Sequence, residues 1–178
     1  VASEQDYHFK VLQLALEKME KTYAKGIYHL SYGLVNLPNG RMKSREGTVV
    51  DADDLMEEMI KTAEAHTKEL GKVADFSKEE AGELYKKLAL GALKYFILKV
   101  SPKKSMIFNP EESIDFQGNT GPFIQFNFVR IQSLLRKQEI GKIDYLHIKL
   151  NNEEKELIKE IHKFPQLILS AAGNYDIS

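Results

Sequence analysis

One short loop places three cations between two glycines, and this pattern could handle phosphate. The loop spans residues 40–48, and its basic side chains are Arg41, Lys43 and Arg45. Glycines let a backbone approach a ligand closely, while lysine and arginine stabilise phosphate charge as it shifts in a transition state. The pattern therefore indicates a phosphate-handling loop. A solvated basic loop after the turn at 38–40 would explain the same residues without any chemistry.

A second candidate site lies on a helix that Pro122 can open and that Asn119 or Thr120 can cap. An apolar stripe at helical spacing predicts one core-facing side, made of Ile124, Phe128, Ile131 and Leu135. A second stripe is aromatic and then basic, made of Phe123, Phe126, Arg130, Ser133 and Lys137. Because rings stack on bases and cations meet phosphates, this stripe predicts an RNA surface. The alternative is a second core stripe in which Arg130 is structural.

Neither metal nor membrane chemistry is indicated. Four histidines lack partners at metal-ligand spacing, so we expect them to be structural or exposed: His29, His66, His147 and His162. The acidic residues between Asp51 and Glu58 fit the start of a helix, where its dipole favours them. The absence of cysteine excludes disulfides and Cys-based zinc sites. No apolar stretch reaches membrane-spanning length and no signal peptide opens the chain, so we expect a cytoplasmic protein without a membrane partner or a metal site.

The charge is uneven along the 178 residues, although the net charge is only −1. Residues 48–70 sum to −5, whereas residues 78–149 hold 12 Lys or Arg against eight Asp or Glu. A local basic face is therefore available to a nucleic acid despite the near-neutral sum.

Helices dominate the predicted organisation. The periodicity and capping signals predict helices from Ser3 or Asp6 to Gly26, over 54–70, from the Ser77–Glu80 capping box to Val100, and over 123–137, 152–162 and 165–172. The expected caps are Asp51 or Asp53 for the helix over 54–70 and Asn152 for the helix that ends at 162, and Gly173 is the expected stop of the last. Because residues 88–98 are apolar nearly all round, the helix that contains them is expected to be central and mostly buried. The alternating segment 27–37 predicts a strand, and residues 106–108 a short extended piece. One strand needs partners, so we expect the rest of its sheet upstream, in residues absent from this chain.

The run 114–137 resembles the segment that enters the anticodon-binding domain of arginyl-tRNA synthetases. The likeness rests on the Gly-Asn-Thr-Gly-Pro turn at 118–122 and on Arg130-Ile131. The stretch Gly-Ala-Leu-Lys-Tyr at 91–95 also resembles a segment of this family. Where the family usually has two tyrosines, a histidine and an alanine, this chain has Phe123, Phe126, Phe128 and Val129. The resemblance implies tRNA contacts by Asn119, Phe123, Phe126, Arg130 and Lys137.

The basic loop resembles the Lys-Met-Ser-Lys-Ser signature of class I aminoacyl-tRNA synthetases. Arg41 takes the place of the first lysine and Met42 that of the methionine, whereas Ser44 stands where the second lysine would be. The resemblance implies that Arg41, Met42, Lys43 and Ser44 bind ATP. It also implies that Lys43 and Arg45 are catalytic, and which of them replaces the missing lysine stays open. Gln5 and His8 resemble a Gln-x-x-His-Phe segment near the nucleotide site, so they are further ATP-binding candidates, although a structural or surface role for His8 is an ordinary alternative.

Together these likenesses imply a mainly α fold: the C-terminal part of a Rossmann-like catalytic domain over 1–73, then the first part of a helical anticodon-binding bundle over 74–178. The family activates L-arginine with ATP, with Mg²⁺ expected, and transfers it to tRNA(Arg); DNA is not an expected partner. We expect this chain alone to be inactive, because a His-Ile-Gly-His-like signature and the arginine pocket are absent from it. The alternatives are a non-catalytic helical RNA-binding or adaptor module and a purely structural interaction bundle.

Overall fold

The computed structural model describes residues 1–36, 51–71, 73, 75–137, 141 and 147–178. Its helices are α1 Asp6–Lys18, α2 Ala52–Glu69, α3 Lys78–Leu98, α4 Pro110–Ser113, α5 Gly121–Lys137 and α6 Asn152–Asn174. Its strands are β1 Val35–Asn36 and β2 Met106–Ile107, and short 3-10 turns lie at Ser3–Gln5 and Ala24–Gly26. The mainly helical fold class expected from the sequence is confirmed.

The described chain forms two compact units, which we treat separately. The first holds residues 1–124 together with residue 178, and the second holds residues 125–177. These units are defined by packing. The functional domain boundary expected at 73–74 stays a prediction.

The core of the first unit lies between α2 and α3. On α2, Met59 and Ala63 are buried one turn apart. The buried residues of α3 form a stripe at helical spacing that packs in the same cluster: Tyr85, Leu88, Ala89, Ala92, Leu93 and Phe96. The small side chains of Ala89 and Ala92 let neighbouring backbones approach closely. Phe108 completes the core, with its ring edge-on to Phe96 at 5.2 Å between centroids. The prediction that α3 is the central buried helix is confirmed.

Both helices of this core begin at the caps that the sequence predicted. On α2, the carboxylate of Asp51 accepts a hydrogen bond of 3.1 Å from the backbone N–H of Asp53. On α3, Ser77 Oγ accepts from Glu80 N–H at 3.2 Å, while Glu80 Oε2 accepts from Ser77 N–H at 2.9 Å. The hydrogen bond from the Ser77 backbone lowers the pKa of Glu80, and that from the Ser77 side chain lowers it further. Reciprocal caps satisfy backbone donors that a helix start leaves open.

The strand prediction over 27–37 is wrong in extent. Within the described part of this segment, residues 27–36, only Val35 and Asn36 form a strand, and Tyr32 makes one parallel bridge to Ala2. The partner of β1 is the predicted extended piece around Met106, paired in parallel with Val35 opposite Met106. Alternation alone cannot make a strand, because each stretch also needs a neighbour to accept its hydrogen bonds.

The second unit contains most of α5 and all of α6. The sequence predicted a break at Pro165, but α6 is one continuous helix that contains this proline. Proline removes only one N–H from the helix, and the freed carbonyl can be hydrated because α6 has no buried residue. Asn151 caps α6 in place of the predicted Asn152, and the helix ends at Asn174, followed by Tyr175 in the left-handed conformation. The predicted stop, Gly173, lies inside it.

The predicted core stripe of α5 is also wrong for this structure. Phe128, Ile131 and Leu135 are 61%, 55% and 48% exposed, and Ile124, in the first unit, is 51% exposed. An apolar stripe is buried only where another element packs against it. In the part of the second unit that the structure describes, this face of α5 stays open.

Within the described ranges, every helix is too short or too polar to cross a bilayer.

Candidate functional site

The turn that opens α5 is packed directly against the backbone of α3. Gly118 has a φ of +75°, a left-handed conformation that favours glycine. Gly121 is buried, and a Cβ added to it would lie 2.5 Å from the carbonyl oxygen of Gly91. No ordinary side chain fits at that distance, so the two glycines allow the turn and the helix to touch. The sequence singled out both motifs without indicating that they meet.

Asn119 is held from α3 by two side chains. The hydroxyl of Tyr95 donates to Asn119 Oδ1, and Lys99 Nζ donates to the backbone oxygen of Asn119 at 3.1 Å. The same ammonium lies 4.4 Å from the centroid of the Phe96 ring. Two acceptors of Asn119 are therefore used inside the protein. Its tRNA contact stays a prediction. Such a contact would use the side-chain Nδ2 group, since Tyr95 already binds Oδ1.

Thr120, one of the two cap candidates, is the residue that caps α5. Its hydroxyl accepts from the backbone N–H of Phe123 at 3.2 Å and donates to the backbone oxygen of Asp115 at 2.5 Å. The side chain is 6% exposed, so these bonds also satisfy a polar group within the core. The turn is thus fixed at Gly118, Asn119, Thr120 and Gly121.

The predicted RNA-facing residues are all solvent-accessible. Phe123, in the first unit, is 40% exposed. In the second unit Phe126 is 38% exposed, and the guanidinium of Arg130 lies over its ring at 5.6 Å from the centroid. That distance is within the range of a cation–π contact. Lys137, at the end of α5, is exposed as well. Their tRNA-binding role stays a prediction.

The two predicted nucleotide-site residues near the chain start are exposed, and both lie where α1 begins. Gln5 precedes the helix and His8 lies inside it. The next residue, Phe9, stacks on the His29 ring at 4.2 Å. His29 Nε2 lies 3.0 Å from the oxygen of Val1, and its Nδ1 lies 2.8 Å from an Asp6 carboxylate oxygen without the angle of a hydrogen bond. His29 was expected to be structural or exposed, and it serves as a structural anchor for α1.

The basic loop cannot be placed, because residues 37–50 lie outside the described residues. The predicted roles of Arg41, Met42, Lys43, Ser44 and Arg45 therefore stay predictions. Among the residues that are described, no group of three or more His, Cys, Asp or Glu is arranged to hold a metal ion.

Two family models match this chain in succession. Residues 1–109 match the model for tRNA synthetases class I (R), catalytic domain, and residues 124–178 match the DALR anticodon binding domain. The first match alone covers more than half of the chain, so the chain belongs to the class I (R) tRNA synthetases. The resemblance found in the sequence is confirmed.

Individual relatives agree with the family. The chain is 59% identical to an arginine–tRNA ligase of Flavobacterium psychrophilum, over 98% of the chain and 29% of the relative. It is 51% identical to one of Bacteroides thetaiotaomicron, over 100% of the chain and 31% of the relative. The Thermus thermophilus arginyl-tRNA synthetase structure matches with a TM-score of 0.72 at 31% identity, over 85% of this chain and 24% of that chain. The chain thus spans less than a third of the length of these relatives.

Proposed function

We propose that this chain is part of an arginine–tRNA ligase, an enzyme that activates L-arginine with ATP and transfers it to tRNA(Arg). One observation carries the proposal: in this chain, the catalytic-domain match over 1–109 is followed by the anticodon-domain match over 124–178. The relatives that the chain matches over nearly its whole length are arginine–tRNA ligases. A non-catalytic RNA-binding or adaptor module is not favoured, because the relatives described above are ligases.

In this proposal the loop at 40–48 acts on ATP. Lys43 and Arg45 stabilise charge that develops on the pyrophosphate leaving group, and this is the kind of interaction that accelerates a step most. Arg41 and Ser44 contact the phosphates, Met42 packs near the adenine, and Gln5 and His8 complete the nucleotide side. The exposed positions of Gln5 and His8 support this assignment.

Mg²⁺ would neutralise phosphate charge when bound with ATP, as it commonly does at nucleotide sites. The described residues offer no cluster of carboxylates or histidines to hold it. We therefore assign no protein ligand to the ion, and no step of the proposal depends on one.

The tRNA-facing side of the proposal lies on the turn at 118–122 and on α5. The exposure of Phe123 and Phe126 supports stacking on bases, and the exposed Arg130 and Lys137 support phosphate contacts. Asn119 is included with them, through the part of its amide that Tyr95 does not engage. We propose a functional division into a catalytic part, 1–73, and an anticodon-binding part, 74–178, in a cytoplasmic protein.

The test is arginylation by the intact protein that contains this chain. Full-length enzyme should exchange pyrophosphate into ATP or charge tRNA(Arg) when arginine is supplied, and should not do so with another amino acid. Residues 1–178 alone should not charge tRNA. Failure of the intact protein to charge tRNA(Arg), with a folded sample and a known ligase as positive control, would overturn the proposal.

A further inference from the structure

A long stretch of this chain holds only positive charge. Residues 84–110 contain six lysines and no Asp or Glu. The stretch begins in α3 and ends just after β2. The first carboxylate that follows it, on Glu111, lies 3.1 Å from His66 Nε2 and so has a partner of its own. Neither the function proposed above nor the predicted RNA stripe of α5 uses these lysines.

Lys103 and Lys104 lie on the loop at 101–105, which is hydrogen-bonded to Gly33 and Leu34, the two residues before β1. We call these two residues the clamping segment. The N–H of Gly33 donates to the carbonyl of Pro102 at 2.6 Å, and the N–H of Leu34 donates to Ser105 Oγ at 3.1 Å. Gly33 is buried, and a Cβ on it would lie 2.3 Å from the carbonyl carbon and oxygen of Lys104. The contact therefore requires glycine. The loop at 101–105 is held here by its backbone and by Ser105 Oγ, and the side chains of Lys103 and Lys104 take no part in these contacts.

The loop has further internal support. Lys104 N–H donates to the carbonyl of Ser101 at 2.9 Å, which closes a turn, and Pro102 restricts the backbone inside it. Met106, the next residue but one, enters the parallel pair with β1. A loop that is already ordered in the free protein loses little conformational entropy when it binds a ligand.

The two ammonium groups on this loop are exposed and, among the described residues, face no carboxylate. Lys103 and Lys104 are solvent-exposed, and within the described ranges neither ammonium lies within 4.0 Å of a carboxylate. The segment that contains Gly33 and Leu34, residues 21–36, has no Asp or Glu either. The contrast with Lys99 is informative, because that ammonium already binds the Asn119 carbonyl. In the part of the chain that the structure describes, neither loop lysine is bound in this way.

We propose that Lys103 and Lys104 form a phosphate-binding site for the tRNA backbone, separate from the α5 surface and from the 40–48 loop. Lysine ammonium groups are compact point charges suited to phosphate oxygens. The loop offers no aromatic side chain for stacking on a base, so the contact is to the backbone and is independent of base sequence. This inference rests on the proposed function, because it takes tRNA as the ligand.

The test uses the full-length enzyme and a tRNA(Arg) transcript. Affinity is measured across a range of salt concentrations for wild type, for the double variant Lys103→Ala/Lys104→Ala, and for a control, Lys61→Ala/Lys68→Ala. The control removes two exposed lysines that already face carboxylates, on Glu57 at 4.0 Å and Glu64 at 2.6 Å. The loop variant should bind more weakly, and the slope of log affinity against log salt should fall by about 1 for each lysine removed. The control should keep the wild-type slope.

A third variant separates the position of the loop from its charge. Gly33→Ala retains both lysines but forces the loop away from the clamping segment, so it should weaken tRNA binding in a sample that circular dichroism shows to be folded. Lys103→Arg/Lys104→Arg should retain the wild-type slope. If Gly33→Ala does not fold, the lysine variants still decide.

Failure of this inference is distinguishable from failure of the proposed function. A wild-type enzyme that charges tRNA(Arg), together with a loop variant of unchanged affinity and unchanged salt slope, overturns only the phosphate site and points to a different partner for the loop, such as an acidic protein. A wild-type enzyme that neither binds nor charges tRNA overturns both.

Discussion

The hydroxyl of Tyr95 donates a hydrogen bond to Asn119 Oδ1, which ties the last turn of α3 to the turn that opens α5. The two residues are 24 positions apart, and each belongs to a short motif that the sequence singled out. Lys99, the residue that follows α3, donates a hydrogen bond to the backbone oxygen of the same asparagine. The turn is therefore fixed by side chains as well as by the close contact of Gly91 and Gly121.

Removing the Tyr95 hydroxyl should loosen this turn without unfolding the protein. Tyr95→Phe deletes one side-chain hydrogen bond at a half-buried position, so the free energy of unfolding should fall by roughly 0.5–1.5 kcal/mol. Urea denaturation of the intact protein measures the change. Tyr7→Phe is the matched control, since Tyr7 is 74% exposed and should lose little. Equal stability of both variants and wild type would mean that the Tyr95 bond contributes nothing to the fold.

Adding one methyl group at Gly121 should be more damaging than removing the Tyr95 hydroxyl. Gly121→Ala places a Cβ 2.5 Å from the backbone oxygen of Gly91, and backbone cannot move aside as a flexible side chain can. We expect a loss of at least about 1–3 kcal/mol in unfolding free energy.

Gly82→Ala is the control for Gly121→Ala. Gly82 lies in α3, and a Cβ added to it would meet nothing within 4 Å beyond its own helix. Alanine there should therefore stabilise the helix by roughly 0.5–1 kcal/mol. A Gly121→Ala variant as stable as Gly82→Ala would contradict the close packing of turn and helix.

The fold was predictable where its signals are local. The capping box joins Ser77 and Glu80, which are three positions apart, and the sequence predicted it. The cap of α2 is equally local, and Asp51 was one of its two candidates. The strand over 27–37 was overestimated because its length depends on a partner 71 residues away, at Met106. The break expected at Pro165 relied on the preference of proline for the first position of a helix. Because α6 has no buried residue, the carbonyl that loses its N–H partner can be hydrated and the helix continues through the proline.

The candidate site shows the same limit. The exposure of Phe123, Phe126 and Arg130 agrees with the surface that their chemistry indicated. By contrast, the use of Asn119 by Tyr95, and the clamp of Gly33 on the loop at 101–105, join distant parts of the chain. No periodicity or spacing within either segment reveals such contacts, because they depend on how α3 and β2 pack.

The cap of α3 should weaken at low pH. Hydrogen bonds from Ser77 hold the pKa of Glu80 below its ordinary value, so the folded state favours the ionised carboxylate. Its contribution is complete above the ordinary glutamate pKa and is lost as pH falls through the lower, folded value. Unfolding free energies of wild type and Glu80→Gln should therefore differ at neutral pH and converge in acid. A constant difference across that range would show that the carboxylate charge is irrelevant to the cap.

The loop cations should act on the chemical step more than on ATP binding. In the intact enzyme, Lys43→Ala and Arg45→Ala should each slow arginine activation. The larger loss, on the order of a hundredfold in rate, is expected for the variant that removes the cation standing in for the missing second lysine. The KM for ATP should change less than kcat, because a cation that meets developing charge acts mainly in the transition state. Lys25→Ala removes a lysine outside the loop as a control. Wild-type turnover in both loop variants would reduce the loop to a solvated connector.

The pair formed by Arg130 and Phe126 separates an RNA surface from a structural one. Arg130 lies over a ring that is 38% exposed, and such a contact contributes about 0.5–1 kcal/mol at an accessible site. Phe126→Ala should therefore lose well under the roughly 3–5 kcal/mol of a fully buried phenylalanine, and Arg130→Ala should remain near wild-type stability. Both variants should bind tRNA(Arg) more weakly, but only Arg130→Ala should show a shallower salt dependence, because it alone removes a phosphate contact.

Thermal unfolding and the salt dependence of tRNA affinity, measured on the same intact samples, distinguish an RNA surface from a structural one. The neighbouring Phe128→Ala, at 61% exposure on the other stripe, is the control. A large stability loss in both variants, with tRNA affinity reduced only in proportion to the unfolded fraction, would make this face structural.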